Sequence, residues 1–126
     1  STEVEGYGAV IGYHAIPSDD DKLSLRPDAS EEEAMDALLD RGGRLAIGGH
    51  THRVMDRELG NWRVLNPGSI GMSFTDINYA EWALITFENG TADVDFRTVS
   101  YDFQSVLDEA ERVGYPHPTW LQRLKK

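Results

Sequence analysis

The chain has 126 residues, of which 40% are hydrophobic, and these roughly fifty apolar side chains suffice for one core and hardly for two. Its 22 acidic and 12 basic residues give a net charge of −10, which excludes a nucleic-acid-binding patch because phosphates would be repelled. Without cysteine there is no disulfide framework, and no apolar run approaches the ~18 residues of a membrane span. With no secretion leader before the first strand-like segment, we expect one cytoplasmic domain over residues 1–126 and no membrane partner.

The N-terminal third predicts a strand, a helix and a second strand. Residues 4–14 form a β-prone run, continuous enough in apolar character to predict one strand buried on both faces. Ser30 and the glutamates after it predict a helix start, and we expect about three turns ending at Arg41. Its buried stripe is expected to contain Ala34, Met35, Leu38 and Leu39. Residues 44–48 predict the second strand, so the three elements indicate a parallel crossover unit.

The rest of the chain predicts two β-hairpins and C-terminal helices, which makes the fold class α/β. The hairpins turn at Gly60-Asn61 and at Asn89-Gly90, the latter being the strongest short turn signal. Their strands are expected over residues 54–59, 62–65, 82–88 and 92–101. Apolar spacing predicts a helix over 105–113 and a short helix with Trp120, Leu121 and Leu124, so residues 102–126 form a C-terminal helical segment.

Histidines follow both strands of the crossover unit. His14 ends the first strand, and His50 and His52 come directly after the second. Because open α/β sheets bind ligands at the carboxyl ends of parallel strands, we expect His14 and His50 on one rim. On an extended backbone His50 and His52 project to the same side, with α-carbons about 6.5 to 7 Å apart, and can share one metal ion or bind two. Gly48 and Gly49 are expected to leave open space for an ion.

These residues resemble the last two motifs of the calcineurin-like metallophosphoesterases. The motifs are a lone histidine after a strand, here His14, and Gly49-His50-Thr51-His52. Arg53 and the loop Asn66-Pro67-Gly68-Ser69 make the small bacterial phosphoesterase branch of that family the most similar, over about residues 7–101. The resemblance implies the C-terminal half of a four-layer αββα sandwich.

The resemblance also implies a site and a reaction. His14 and His50 would bind one divalent ion and His52 a second, with Mn, Fe, Zn, Co or Ni as candidates. A hydroxide bridging the two ions would then hydrolyse a phosphomonoester or phosphodiester. Substrate contacts are expected from Thr51, Arg53, Asn66 and Ser69, although Asn-Pro-Gly-Ser is equally a simple turn.

The upstream motifs of that family, Asp-x-His, Gly-Asp-x-x-Asp and Gly-Asn-His, do not occur in this sequence. The chain therefore carries no catalytic acid, and we expect the missing half before Ser1 or on another chain. Alone, the chain is expected to be inactive and to hold few or no metal ions. The acidic run Asp19-Asp20-Asp21 is an alternative source of carboxylate ligands, but such runs are usually solvated. His117, between two prolines, is expected at the surface.

A non-catalytic interpretation stays open. The same fold serves as a protein-interaction scaffold in the small subunit of the retromer coat, where the metal site is degenerate. An intact upstream Asp-x-His would favour catalysis, and its absence would favour the scaffold. Without the other half, a sheet edge and an apolar face would be exposed, so we also expect a homo-oligomer or partial disorder.

Overall fold

A computed structural model describes residues 1–23, 25–39 and 41–117. Its elements in chain order are β1 (Thr2–Val4), β2 (Gly8–Gly12), α1 (Glu31–Asp36), β3 (Leu45–Ile47), β4 (Met55–Leu59), β5 (Trp62–Asn66), β6 (Tyr79–Glu88), β7 (Thr91–Ser100) and α2 (Phe103–Arg112). Within these ranges no helix is long and apolar enough to cross a membrane. The short helix predicted around Trp120 lies outside the described residues.

Three parallel strands form the centre of the larger sheet. Its five strands lie in the order β1-β2-β3-β5-β4, and β3 pairs in parallel with both β2 and β5. The predicted crossover from β2 through α1 to β3 is therefore confirmed. Because parallel strands point the same way, the ends of β2, β3 and β5 meet at one edge of the sheet.

Side chains alternate between the two faces of this sheet and give the protein three layers. On one face Ile11, Ala46 and Val64 pack in a core with residues of α1. On the other face Val10, Leu45 and Leu65 pack against apolar residues of the separate β6–β7 sheet. The layers are therefore α1, the five-stranded sheet and the two-stranded sheet.

The strand predicted over residues 4–14 is present as β2, but it is shorter than predicted, because Val4 belongs to a separate strand, β1. β1 pairs antiparallel with β2 through a tight turn in which the Tyr7 N–H donates to the Val4 carbonyl at 3.0 Å. Gly6 and Gly8 have φ values of +73° and +115°, a region that glycine enters without a Cβ clash. The glycines thus fold back a segment that apolar character alone predicts to be straight.

Helix α1 is shorter than predicted, ending at Asp36 and not at Arg41. The backbone N–H groups of Leu38 and Leu39 bond to carbonyls three residues back and not four, which tightens the chain into turns. Leu38 stays buried, whereas Leu39 is 60% exposed. The prediction that Leu39 lies on the buried stripe is therefore wrong, because the tightened turn rotates it toward solvent.

Both predicted hairpins are confirmed. β4 pairs with β5 and β6 pairs with β7, each antiparallel. The second hairpin begins at Tyr79, three residues before the predicted start. The helix predicted over 105–113 begins two residues earlier, because the Asp102 side chain accepts hydrogen bonds from the first free N–H groups of α2.

Candidate metal centre

His14 and His50 lie side by side at the carboxyl ends of β2 and β3. Parallel pairing continues past the strands, since the Gly49 N–H donates to the His14 carbonyl at 2.9 Å. Nε2 of His14 lies 3.0 Å from Nδ1 of His50, and the two rings meet edge to face. The expectation that these histidines share one rim is confirmed, and their role as metal ligands stays a prediction.

The spacing of this pair suits a single ion. Two imidazole nitrogens at about 2.0–2.1 Å from a tetrahedral metal ion lie roughly 3.3 Å from each other. The separation of 3.0 Å between His14 Nε2 and His50 Nδ1 is close to that value. Neutral imidazole nitrogens are also suitable donors for the divalent transition metals. In the metal-free chain this separation is that of a hydrogen bond between the two rings, and an ion bound to both nitrogens would replace the shared proton.

His52 does not join this pair. The prediction of an extended backbone is wrong, because φ is +62° at His50 and +53° at His52. Both residues therefore lie in the left-handed region, which costs a non-glycine residue about 1–3 kcal/mol. The His52 ring lies beside Phe74, with 6.2 Å between ring centroids. Its Nδ1 is buried and has no hydrogen-bond partner within the described part of the chain.

The described residues do not form the complete two-metal site. Over residues 1–23, 25–39 and 41–117, no group of three or more His, Cys, Asp or Glu side chains is placed to hold a metal ion. A dinuclear centre needs a negative ligand between its ions to offset their repulsion. Further ligands would have to come from elsewhere.

The space above Gly48 is filled. A Cβ added to Gly48 would collide with the Tyr13 ring, so the expectation that this glycine leaves room for an ion is wrong. Burial raises the pKa of the Tyr13 phenol, and its hydroxyl has no hydrogen-bond partner among the residues described. Gly48 instead lets an aromatic ring pack directly behind the histidine rim.

Asn66, predicted to contact substrate, is buried and bonded to the protein. It is 1% exposed, and its amide nitrogen donates to the Gly49 carbonyl at 2.6 Å and to Thr51 Oγ1 at 3.0 Å. Its side-chain oxygen accepts from the Gly68 N–H at 2.9 Å. Asn66 thus links the loop that carries His50 and His52 to the Asn-Pro-Gly-Ser loop. Direct contact of Asn66 with substrate stays a prediction, and this geometry does not favour it.

The Asn-Pro-Gly-Ser loop is fastened to β6 by a residue that sequence analysis missed. Glu81 is buried, and one carboxylate oxygen accepts from the Ser69 N–H at 3.0 Å while its own N–H donates to the Ser69 carbonyl at 2.9 Å. Ser69 Oγ accepts from the Met72 N–H. The sequence signal for this role was a glutamate at a position where the alternation of the strand predicts an inward-facing apolar residue.

A pocket of about 340 Å³ opens beside His50 and Thr51. Arg53 lies at its rim, with its guanidinium 5.6 Å from the centroid of the exposed Phe74 ring. The other arginine of the pocket, Arg26, is paired with Asp28 and Glu33. Arg53 therefore supplies a cation close to the histidines, as expected of a substrate contact, although that role stays a prediction.

The remaining candidates lie apart from the histidine rim. In the acidic run, Asp19 accepts from the Asp21 N–H in a local turn, and no described carboxylate joins the histidines in a metal-binding group. His117 is exposed, as expected, with its ring 6.4 Å from that of Tyr115.

Solved structures resemble this chain. Hypothetical protein PH1004 from Pyrococcus horikoshii OT3 matches with a TM-score of 0.75 and 20% identity, over 92% of this chain and 45% of that one. A metallophosphoesterase from Sphaerobacter thermophilus matches with a TM-score of 0.65 and 17% identity, over 91% of this chain and 54% of its own. The chain has the fold of half a metallophosphoesterase. The expected α/β fold class and family resemblance are confirmed at the level of this fold.

The similarity to the metallophosphoesterase is a similarity of fold, with low sequence identity. The chain spans about half the length of the two solved structures. A Vps29 double mutant from Entamoeba histolytica also matches, with a TM-score of 0.43 and 20% identity over 60% of this chain and 49% of its own. No family model matches the chain, and no curated protein matches its sequence.

Proposed function

We propose that this chain supplies histidine ligands to the metal site of a phosphoester hydrolase. The observation that carries the proposal is the 3.0 Å approach of His14 Nε2 to His50 Nδ1 on the rim of a metallophosphoesterase fold. Ligands of open α/β sheets bind at this edge. Divalent ions bound there would activate water and offset the charge of a phosphomonoester or phosphodiester.

The histidines have separate roles in this proposal. His14 and His50 hold one ion, and His52 contributes to a second through a ring whose Nδ1 is buried without a partner in the described residues. The remaining ligands, including a carboxylate, come from outside these 126 residues, either in the same protein or in a different chain. This division explains why the chain by itself would bind metal weakly and would not hydrolyse substrate.

Arg53 and the pocket beside His50 are the proposed substrate contacts. The protein carries a net charge of −10, so an anionic phosphoester needs a local cation at the point of entry. Arg53 meets that need at the rim of the 340 Å³ pocket, and Phe74 and Leu23 provide apolar walls for the group attached to phosphorus. Thr51 also lines the pocket, although its hydroxyl already accepts a hydrogen bond from Asn66.

Weak binding of Mn²⁺ tests the proposal. Mn²⁺ is paramagnetic and broadens the NMR signals of nearby nuclei even at low occupancy, so a titration of isotope-labelled protein locates the ion. We expect the imidazole signals of His14 and His50 to broaden first, and the effect to disappear in His14→Ala and His50→Ala. His117→Ala, which removes an exposed histidine elsewhere, should leave the broadening unchanged.

Two outcomes of this titration would contradict the proposal. Broadening centred on Asp19-Asp20-Asp21 would mean that the acidic loop, and not the histidine pair, attracts the ion. No broadening at any histidine would favour the scaffold function.

A further inference from the structure

We infer that Asn66 is a positioning residue, which holds the backbone of His50 and His52 in the conformation that presents their rings at the rim. The inference about backbone conformation rests only on the hydrogen bonds and φ values of the metal-free protein. Its consequence for metal binding rests on the proposed function. The hydrogen bonds of Asn66 go to Gly49, Thr51 and Gly68 and not to a histidine ring, so its effect on the rings passes through the backbone of residues 49–52.

The hydrogen bonds of Asn66 surround the first histidine of the pair. Its amide donates to the carbonyl of Gly49, the residue before His50, and to the hydroxyl of Thr51, the residue after it. The same Gly49 carbonyl accepts from the Thr51 N–H at 2.7 Å. Both amide hydrogens of Asn66 are therefore used to fix the turn in which His50 sits.

This turn needs an external support. His50 and His52 both have positive φ, and Thr51 lies between them. Left-handed backbone at non-glycine residues persists only where the surrounding structure imposes it. Backbone pairing with the neighbouring strands continues only as far as Gly49, whose N–H donates to the His14 carbonyl, and β4 begins at Met55. The buried Asn66 amide from β5 reaches the backbone on both sides of His50, whereas the His14 ring contacts only the His50 side chain.

Asn66 is itself held rigidly. It ends β5 opposite Met55 of β4, is 1% exposed, and accepts from the Gly68 N–H. Gly68 in turn packs so closely on Glu81 that an added Cβ would overlap the Glu81 side chain. A rigid side chain on a strand fixes a loop more accurately than another loop residue could, which is the usual role of residues behind metal ligands.

The first test measures backbone conformation in the metal-free protein. At positive φ the amide and α protons of one residue lie unusually close, which gives a strong intraresidue nuclear Overhauser effect. We expect strong effects at His50 and His52 in the wild type and their weakening in Asn66→Ala. Asn61→Ala, in the exposed turn between β4 and β5, is the matched control and should retain them.

The second test measures affinity for Co²⁺ alone, from the paramagnetic shifts of the histidine signals. Removing residues behind metal ligands typically weakens binding about 10- to 100-fold, and we expect a loss in this range for Asn66→Ala. Thr51→Val removes only the hydroxyl that Asn66 contacts and should weaken binding by a smaller factor. Thr51→Ser restores that hydroxyl and should bind as the wild type does.

The variants keep the inference testable if Asn66→Ala does not fold. Circular dichroism identifies that case, and Thr51→Val compared with Thr51→Ser then carries the test. A folded Asn66→Ala with wild-type Overhauser effects would overturn the inference, and so would equal behaviour of Thr51→Val and Thr51→Ser. A wild-type chain that binds no Co²⁺ would contradict the proposed function, while the Overhauser comparison would still decide the role of Asn66.

Discussion

At Gly48 the packing in the structure differs from what the sequence led us to expect. A glycine just before the histidines suggests room for an ion, yet the Tyr13 ring fills that room. We predict that Gly48→Ala lowers the free energy of unfolding by about 1–3 kcal/mol, because the buried ring has to leave its position. Urea denaturation followed by circular dichroism measures this change.

Gly42→Ala is the control for that substitution. Nothing lies within 4 Å of a Cβ placed on Gly42, so the added methyl group meets no atom. Its effect should be small or mildly stabilising, since alanine restricts the unfolded chain. Equal losses of stability in the two variants would show that the Tyr13 ring does not oppose a side chain at position 48.

The site residues were only partly predictable for a physical reason that is visible at Asn66. His14 and His50 follow from topology, because parallel strands bring their ends together wherever they lie in the chain. The position of Asn66 depends on β5 pairing in parallel with β3, and no local pattern encodes that long-range pairing. The left-handed backbone at His50 and His52 has the same origin, since histidine does not require it.

At the scale of elements, helix α1 depends on its first turn. It has six helical residues, too few for propensity alone to stabilise it, and Ser30 Oγ accepts from the Glu33 N–H at 3.1 Å. We predict that Ser30→Ala lowers the free energy of unfolding by about 1 kcal/mol through loss of this cap. Chemical denaturation tests it, with Ser18→Ala in the exposed loop as the control that should change nothing.

The elements themselves were predicted best where a local signal marks a turn or the start of an element. Asn89-Gly90 and Gly60-Asn61 fixed the two hairpins, and Ser30 fixed the start of α1. Where local signals compete, the prediction failed. Leu39 fits a helical stripe by spacing, but the chain tightens before it, and the Gly6 turn interrupts an apolar run that otherwise reads as one strand. The spacing of apolar residues predicts which side chains share one face of a helix or strand. It does not predict the residue at which the backbone hydrogen-bonding pattern changes.

At the scale of the whole molecule, the two-stranded sheet is incompletely covered. β6 and β7 pair with each other and with no other described strand, so each has an unpaired edge. The apolar side chains that face the larger sheet are half-buried. On the opposite face Trp82, Leu84 and Val99 are exposed, and the register places Arg97 beside Trp82 and Asp95 beside Leu84, so that face is mixed. Unpaired edges and exposed apolar faces are the usual sites of self-association.

We therefore predict that the 126-residue chain associates with itself through this face. Sedimentation velocity over a range of concentrations should show species larger than a monomer. Leu84→Lys places a charge at the centre of the face and should shift the population toward monomer. Val106→Lys on α2 is a matched control, because Leu84 and Val106 are both 43% exposed. A monomer at every concentration with a cooperative melt would contradict the prediction, and equal effects of the two lysines would place the interface elsewhere.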